Sequence, residues 1–142
     1  MNYWLIKTEP KSYSLEDLRV KKRDIWDGVR NFQARNYLDK MNLGDRIFVY
    51  HSGKQKSIVG MATVSKTAFP DPSADGSDGW LATEIAYYCH FPNTLSLKSI
   101  KSLPALENLL LIKQPRLSVM PVERHHADWL LNYLKDEKTE LL

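Results

Sequence analysis

Cysteine is nearly absent from this chain, since Cys89 is the only one among 142 residues. A single cysteine forms no internal disulfide and builds no cysteine-based metal cluster, which favours a reducing compartment. No apolar run approaches the roughly 20 residues that a membrane helix needs, and the first residues lack a signal-peptide pattern. We therefore expect a cytoplasmic protein with no membrane partner and one domain over residues 1–142.

Motifs for bound cofactors and metals are also missing. Neither GxxxxGK[ST] nor GxGxxG occurs, which excludes a P-loop and a Rossmann fingerprint. Two of the four histidines, His125 and His126, are adjacent, and neighbours on a helix point about 100° apart, so one metal would not readily take both. The HExxH spacing of zinc enzymes does not occur. The sequence predicts no metal and no cofactor.

Positive charge is concentrated in the first half of the chain. Residues 1–66 contain 13 Lys or Arg against 7 Asp or Glu, whereas residues 67–142 contain 7 against 10. A one-sided positive field attracts polyanions such as nucleic acid. Lysine and arginine that only solvate a surface give the same count, so both interpretations stay open.

Hydrophobic periodicity and turn residues predict a mixture of strands and helices. A capping box at Ser14 opens a helix that the basic run 21–23 closes. Other predicted helices cover residues 32–41 and 122–134, with short helical turns at 96–102 and 104–108, and predicted strands cover residues 3–7, 46–50, 58–64, 80–91 and 116–120. The apolar run 58–64 indicates burial on both faces, as in a small barrel. Residues 66–79 are predicted to form a long loop.

The segment 26–31 has the composition of a binding site. Trp26, Asp27, Arg30 and Asn31 surround Gly28, which lets the backbone turn sharply. Their convergence on one concave spot would suit a planar, hydrogen-bonding ligand. Aromatic stacking on a nucleobase contributes about 1–3 kcal/mol, and the aromatic and polar residues at neighbouring element ends favour such a ligand: Trp26, Tyr50, Trp80, Lys7, Asn31, His51 and Ser52.

Two other interpretations use the same residues. Lys7 and Thr8 stand at a strand end, where a desolvated lysine can activate a threonine hydroxyl. Adjacent strand residues point to opposite faces, and polar residues that meet solvent at a strand end are the favoured explanation of the pair. In the remaining interpretation the chain is a plain interaction module whose aromatic residues, Trp26 and Tyr50 included, all belong to the core.

A set of motifs in this chain closely resembles the EVE domain family. The resemblance spans nearly the whole chain in the right order, and its central motif is long enough to be specific. It rests on residues 3–10 (YWLIKTEP), 26–36 (WDGVRNFQARN), 50–52 (YHS), Gly60, 70–72 (PDP) and 116–119 (RLSV).

The resemblance implies an α+β, PUA-like fold, a mixed β pseudobarrel flanked by short helices, and a non-catalytic reader that holds a flipped modified base. Modified cytosine in DNA or RNA is the implied ligand class, and a monomer is expected. By position, Trp26 corresponds to the aromatic platform, and Lys7 and Thr8 to the strand end whose backbone faces the base. Residues implied to line or brace the pocket are Asp27, Asn31, Tyr50, His51, Ser52, Trp80, Arg116 and Ser118. We expect the phosphates to be bound by Arg30, Arg35, Lys54 and Lys56. The alternative is a small amidohydrolase acting on acylated or modified nucleosides through Lys7 and Thr8.

Overall fold

The computed structural model describes residues 1–135, which form a mixed six-stranded sheet with helices packed against it. The strands are β1 Tyr3–Thr8, β2 Arg23–Trp26, β3 Arg46–His51, β4 Ser57–Pro70, β5 Leu81–Ser96 and β6 Val119–Val122. The helices are α1 Leu15–Lys21, α2 Phe32–Lys40, α3 Leu97–Ser102, α4 Leu110–Lys113 and α5 Arg124–Leu134, with a 3-10 turn at Pro104–Leu106. The predicted fold class is confirmed, although the sheet does not close into a barrel. Residues 136–142 of the predicted domain lie outside the described range.

The strand order is β2-β5-β4-β3-β1-β6, with β1 parallel to β3 and antiparallel to β6. Pairing between β4 and β5 shifts register at four places, starting between Ile58 and Gly60. Such irregularities bend strands and increase their twist. The sheet curls enough for Thr8 on β1 and Trp26 on β2 to line one cavity, although three strands separate them in the sheet order.

Helices cover the curled sheet and complete the core. Helix α1 packs on β2 and β5, α2 packs on β4, β5 and β6, and α5 packs on β5. Their buried leucines, Leu15, Leu18, Leu38 and Leu130, join fully buried strand residues such as Phe48 in one cluster. Within residues 1–135 no helix combines the length and apolar character of a membrane span.

Local capping chemistry sets the starts of α1 and α2, as the sequence predicts. The Ser14 hydroxyl accepts from the Asp17 N–H at 3.1 Å, and the Asp17 carboxylate accepts from the Ser14 N–H at 2.8 Å. The Asn31 side chain accepts from the Ala34 N–H at 2.9 Å and begins α2. Each cap satisfies N–H groups that the first helical turn leaves unpaired.

Long-range pairing overrides several sequence-based boundaries. The predicted loop 66–79 is wrong at its start, because β4 continues to Pro70, which pairs with Leu81. The observed loop is shorter, and a hydrogen bond of 3.0 Å from the Asp71 N–H to the Trp80 carbonyl closes its base. Strand β2 was not predicted, and the last strand lies at Val119–Val122 instead of residues 116–120 because it pairs there with β1.

Gly60 occupies a position without room for a side chain. A Cβ there would collide with the Leu15 side chain and the backbone carbonyl of Cys89. Because backbone cannot yield as a side-chain end does, we expect Gly60→Ala to lower the free energy of unfolding by about 1–3 kcal/mol. Urea unfolding followed by tryptophan fluorescence measures this loss. Thr67→Ala, at an exposed position of the same strand, should change stability by less than about 0.5 kcal/mol. Equal stability of Gly60→Ala and Thr67→Ala would contradict the conclusion that residue 60 has no room for a side chain.

Candidate functional site

A cavity of about 440 Å³ opens beside Trp26, where the curled sheet leaves β1 and β2 unpaired with each other. Its volume falls within the roughly 300–1,000 Å³ of small-molecule sites. Residues from β1, β2 and the segment before α1 line it: Thr8, Tyr13, Asp24, Ile25, Trp26 and Asp27. Of the residues predicted for a base pocket, the structure brings Thr8, Trp26 and Asp27 together here.

Successive side chains of the short strand β2 point to opposite sides of the sheet. Arg23 and Ile25 are exposed, whereas Asp24 and Trp26 are partly buried on the other side. The rings of Tyr13 and Trp26 meet edge to face, with centroids 6.1 Å apart and planes at 73°. Behind them lies a small apolar hollow lined by Ile6, Leu15, Leu18, Val49 and Ile85, among others. The two rings therefore form a wall between the core and the cavity.

Sequence reasoning missed Tyr13, Asp24 and Ile25. The run 21–23 was interpreted as the end of a helix, which hid the strand that follows it. Had residues 23–26 been predicted as a strand, the period of two would have placed Asp24 on the same face as Trp26.

The polar groups of the cavity have stable protonation states near neutral pH. Burial, and then the neighbouring Asp24 carboxylate, raises the pKa of the Tyr13 phenol. Burial alone would raise the pKa of Asp24, but the Tyr13 hydroxyl, the Ile25 N–H and Lys21 together lower it. Within residues 1–135 the buried Tyr13 hydroxyl has no hydrogen-bond partner of good geometry. The cavity therefore presents an ionised Asp24 carboxylate, and the neutral Tyr13 phenol lies enclosed beside it.

Thr8 connects the cavity to neighbouring segments. Its hydroxyl donates to the Tyr13 carbonyl at 2.6 Å, and its own carbonyl accepts from the Ser52 N–H at 2.9 Å. These bonds hold the end of β1 against the segment before α1 and the end of β3. Ser52 thereby braces the site through its backbone.

Lys7 points away from Thr8 and serves a different part of the fold. Its amine donates to the Pro115 carbonyl at 2.6 Å and lies 5.8 Å from the centroid of the Tyr50 ring. Its backbone N–H donates to the Ser118 carbonyl at 3.0 Å. Burial lowers the pKa of the Lys7 amine. The two predicted partners of an amidohydrolase therefore have different neighbours, and the structure does not pair them.

Tyr50 and His51 belong to the packed interior, with 3% and 7% of their surfaces exposed. The His51 Nε2 accepts from the Leu15 N–H at 3.1 Å, and its Nδ1 lies 2.8 Å from the Gln55 side-chain oxygen. Because Nε2 is an acceptor, Nδ1 carries the proton and donates to Gln55. Both ring nitrogens are occupied, so His51 ties α1 to β3 and is not brought to the cavity.

Asn31 and Arg116 lie at a second hollow of about 290 Å³. Gln33, Gln114, Pro115 and Leu117 complete its lining. Asn31 uses its side-chain oxygen to cap α2. The structure thus separates these two predicted residues from the cavity beside Trp26.

The carboxylate of Asp71 stabilises the turn that follows Trp26. Gly28 has φ +80°, a conformation that favours glycine, and its N–H donates to the Asp71 carboxylate at 2.8 Å. The same carboxylate accepts from Arg30 at 2.9 Å and from the Ser73 N–H and hydroxyl. Burial opposes the charge on Asp71, but these hydrogen bonds outweigh it and hold the pKa of its carboxyl far below the usual range. Arg30, predicted to bind phosphate, is therefore ion-paired within the fold.

The remaining predicted residues do not line the cavity beside Trp26. Trp80 stacks on Phe32 with ring centroids 4.7 Å apart. Arg35 donates to the Asn36 side chain at 3.0 Å. Lys54 and Lys56 are exposed in the turn between β3 and β4.

The adjacent histidines are closer than the sequence argument assumed. The rings of His125 and His126 lie 4.0 Å apart, and their ligand atoms and that of Glu123 all fall within 4.8 Å of one another. Both residues lie in the first turn of α5, so the angle of about 100° between neighbouring helical residues does not keep their two rings apart. The positive end of the α5 dipole opposes a cation at this position, so the absence of a metal stays our prediction.

Sequence comparison places these features in a known group. A family model for the EVE domain matches residues 2–133. The chain belongs to the EVE domain family. Among curated relatives, mouse thymocyte nuclear protein 1 is 34% identical, and the alignment covers 98% of this chain and 75% of that protein.

Solved structures confirm the resemblance in fold for this EVE domain. A protein from Agrobacterium tumefaciens is 38% identical with a TM-score of 0.90, over 94% of this chain and 92% of that one. Human THYN1, solved in complex with DNA containing 5-methylcytosine, is 30% identical with a TM-score of 0.87, over 96% of this chain and 99% of that one.

Proposed function

We propose that this EVE domain is a non-catalytic reader of modified bases in nucleic acid, and that it holds one flipped base in the cavity beside Trp26. The similarity to human THYN1, solved with DNA containing 5-methylcytosine, carries the proposal and favours modified cytosine as the ligand. The basic charge of residues 1–66 supports an approach to phosphate backbones.

The chemistry of the cavity suits a cytosine. The Trp26 ring offers a stacking surface, and the Asp24 and Asp27 carboxylates are acceptors for an exocyclic amino group. The Tyr13 hydroxyl is enclosed beside Asp24 and helps keep that carboxylate ionised as an acceptor. In this proposal β2 reads the edge of the base, Ser52 braces the end of β1 through its backbone, and His51 holds the start of α1.

Flipping costs a few kcal/mol and costs least for an unpaired base. We therefore expect single-stranded oligonucleotides to bind better than duplexes of the same sequence. We assign the phosphate contacts to the partly buried Arg35 and to the exposed Lys54 and Lys56, since Asp71 already pairs with Arg30.

The test compares one 5-methylcytosine with cytosine at the centre of otherwise identical DNA and RNA oligonucleotides, by fluorescence anisotropy with the full chain. A buried methyl group contributes about 0.8 kcal/mol, or about fourfold in Kd. The modified strand should bind at least that much more tightly. Because both strands make the same phosphate contacts, the two plots of affinity against salt should run parallel. Equal affinity for both strands in DNA and in RNA would overturn the proposal for this modification.

A further inference from the structure

An aromatic pair with one exposed ring lies next to the turn that follows Trp26. The rings of Phe32 and Trp80 stack with centroids 4.7 Å apart and planes at 19°. Phe32 is the first residue of α2, and 58% of its surface is exposed. Trp80 is partly buried. Packing of the core does not explain why the exposed Phe32 ring stacks on it.

Two arginines flank this pair. The Arg30 guanidinium lies 5.5 Å from the centroid of the Trp80 ring, and the Arg35 guanidinium lies 4.9 Å from that of Phe32. Both distances are within the range of cation–π contacts, about 6 Å. We refer to Arg30, Trp80, Phe32 and Arg35 as the arginine–aromatic ladder.

Each cation of the ladder is fixed by polar partners. Asp71 accepts from Arg30 at 2.9 Å. Arg35 donates to the Asn36 side chain at 3.0 Å. Fixed side chains lose less conformational entropy when a ligand binds. The ladder is therefore a preorganised combination of π faces and positive charge.

The ladder adjoins the cavity through the shared turn. Arg30 follows Asp27, which lines the cavity, by three residues, and the Asp71 carboxylate holds both Gly28 and Arg30. A strand with one base in the cavity would pass its next nucleotides over this surface.

We propose that the arginine–aromatic ladder binds an unpaired nucleotide that flanks the base held in the cavity. Its rings receive the face of the neighbouring base, and the Arg35 guanidinium receives the phosphate, so this contact does not depend on the modification. Surfaces that combine aromatic residues with positive charge bind single strands with little sequence preference. The inference rests on the proposed function, because the position of the strand follows from a base in the cavity.

The test measures Phe32→Ala against single-stranded 12-mers of DNA and RNA, with and without a central 5-methylcytosine. We expect about tenfold weaker binding of all strands, since one base–aromatic contact is lost, and an unchanged ratio between modified and unmodified strands. Phe32→Leu keeps an apolar side chain without a π face and should weaken binding as well. Tyr133→Ala is the matched control, because Tyr133 is 42% exposed and stacks on Trp129 within α5, with ring centroids 5.7 Å apart. It should bind like the wild type.

The outcomes separate the two proposals. If both Phe32 variants bind every strand as the wild type does, the ladder proposal is overturned. The cavity proposal is then decided separately, by whether the wild type binds the modified strand more tightly than the unmodified one. If the Phe32 variants weaken binding but the wild type binds modified and unmodified strands equally, the ladder binds nucleic acid and the base-reading function fails for this modification. Failure of the wild-type protein to bind any single strand would overturn both and favour a protein partner for this surface. Circular dichroism establishes that each variant is folded.

Discussion

Trp26→Ala should weaken binding of a 5-methylcytosine oligonucleotide by about 10- to 100-fold, because stacking on an aromatic ring contributes about 1–3 kcal/mol per base. It should also remove the preference for the modified base. Trp26 forms one wall of the cavity, at an edge-to-face contact with Tyr13. Without the ring, the cavity merges with the apolar hollow behind it and no longer fixes the plane of a base. Anisotropy titrations with paired modified and unmodified strands measure both effects.

Two further variants make this result specific to the Trp26 ring. Trp26→Phe retains a smaller π face and should recover part of the affinity. Trp129→Ala removes a partly buried tryptophan of α5 that stacks on Tyr133, and it should leave the preference unchanged. If Trp26→Ala is folded by circular dichroism and still discriminates between the two strands, the base does not lie in this cavity.

Asp71→Asn should lower the free energy of unfolding at pH 7 by about 3 kcal/mol, because breaking a buried ion pair leaves polar groups unsatisfied. The Asp71 side chain has no exposed surface and accepts from Gly28, Arg30 and Ser73. The effect falls at the lower end for such pairs, since 40% of the Arg30 side chain is exposed and water can solvate it. Urea unfolding measures the loss. Asp75→Asn, in the same loop but exposed, should cost less than about 0.5 kcal/mol.

The difference in stability between the wild type and Asp71→Asn should depend on pH with a defined sign. The pKa of Asp71 is lower in the folded than in the unfolded chain, where it lies near 3.8. The stabilisation is therefore complete above that value and is lost as the pH falls further. The stability difference between wild type and Asp71→Asn should be constant from neutral pH down to about 5 and shrink below about 4. A difference that already shrinks between pH 7 and 5, or an Asp71→Asn variant no less stable than Asp75→Asn, would contradict this account.

Local chemistry made much of the fold predictable. The caps at Ser14 and Asn31 involve residues three positions apart, so the sequence alone indicates where α1 and α2 begin. Strand β3 was also recognisable from its aromatic and β-branched residues.

The cavity was only half predictable, because its other half depends on distant pairing. Trp26 is visible in the sequence as an aromatic beside a glycine turn, but Asp24 faces the cavity only because β2 pairs with Ile85 and its neighbours on β5. Tyr50 shows the converse. All residues from Ile47 to His51 are buried, so alternation does not distinguish a residue of the core from one that lines a site.

The hydrogen bond between the Asp71 N–H and the Trp80 carbonyl has a consequence for engineering. It closes the base of the loop between β4 and β5, and the buried Asp71 carboxylate ties one end of that loop to the turn at Gly28. Residues between Ala74 and Asp78 can then change in number without moving either anchor. Each doubling of such a loop costs only about 0.6 kcal/mol of closure entropy. This segment is accordingly a graft point at which a reporter or tether would stand beside the cavity while the residues that shape it keep their positions.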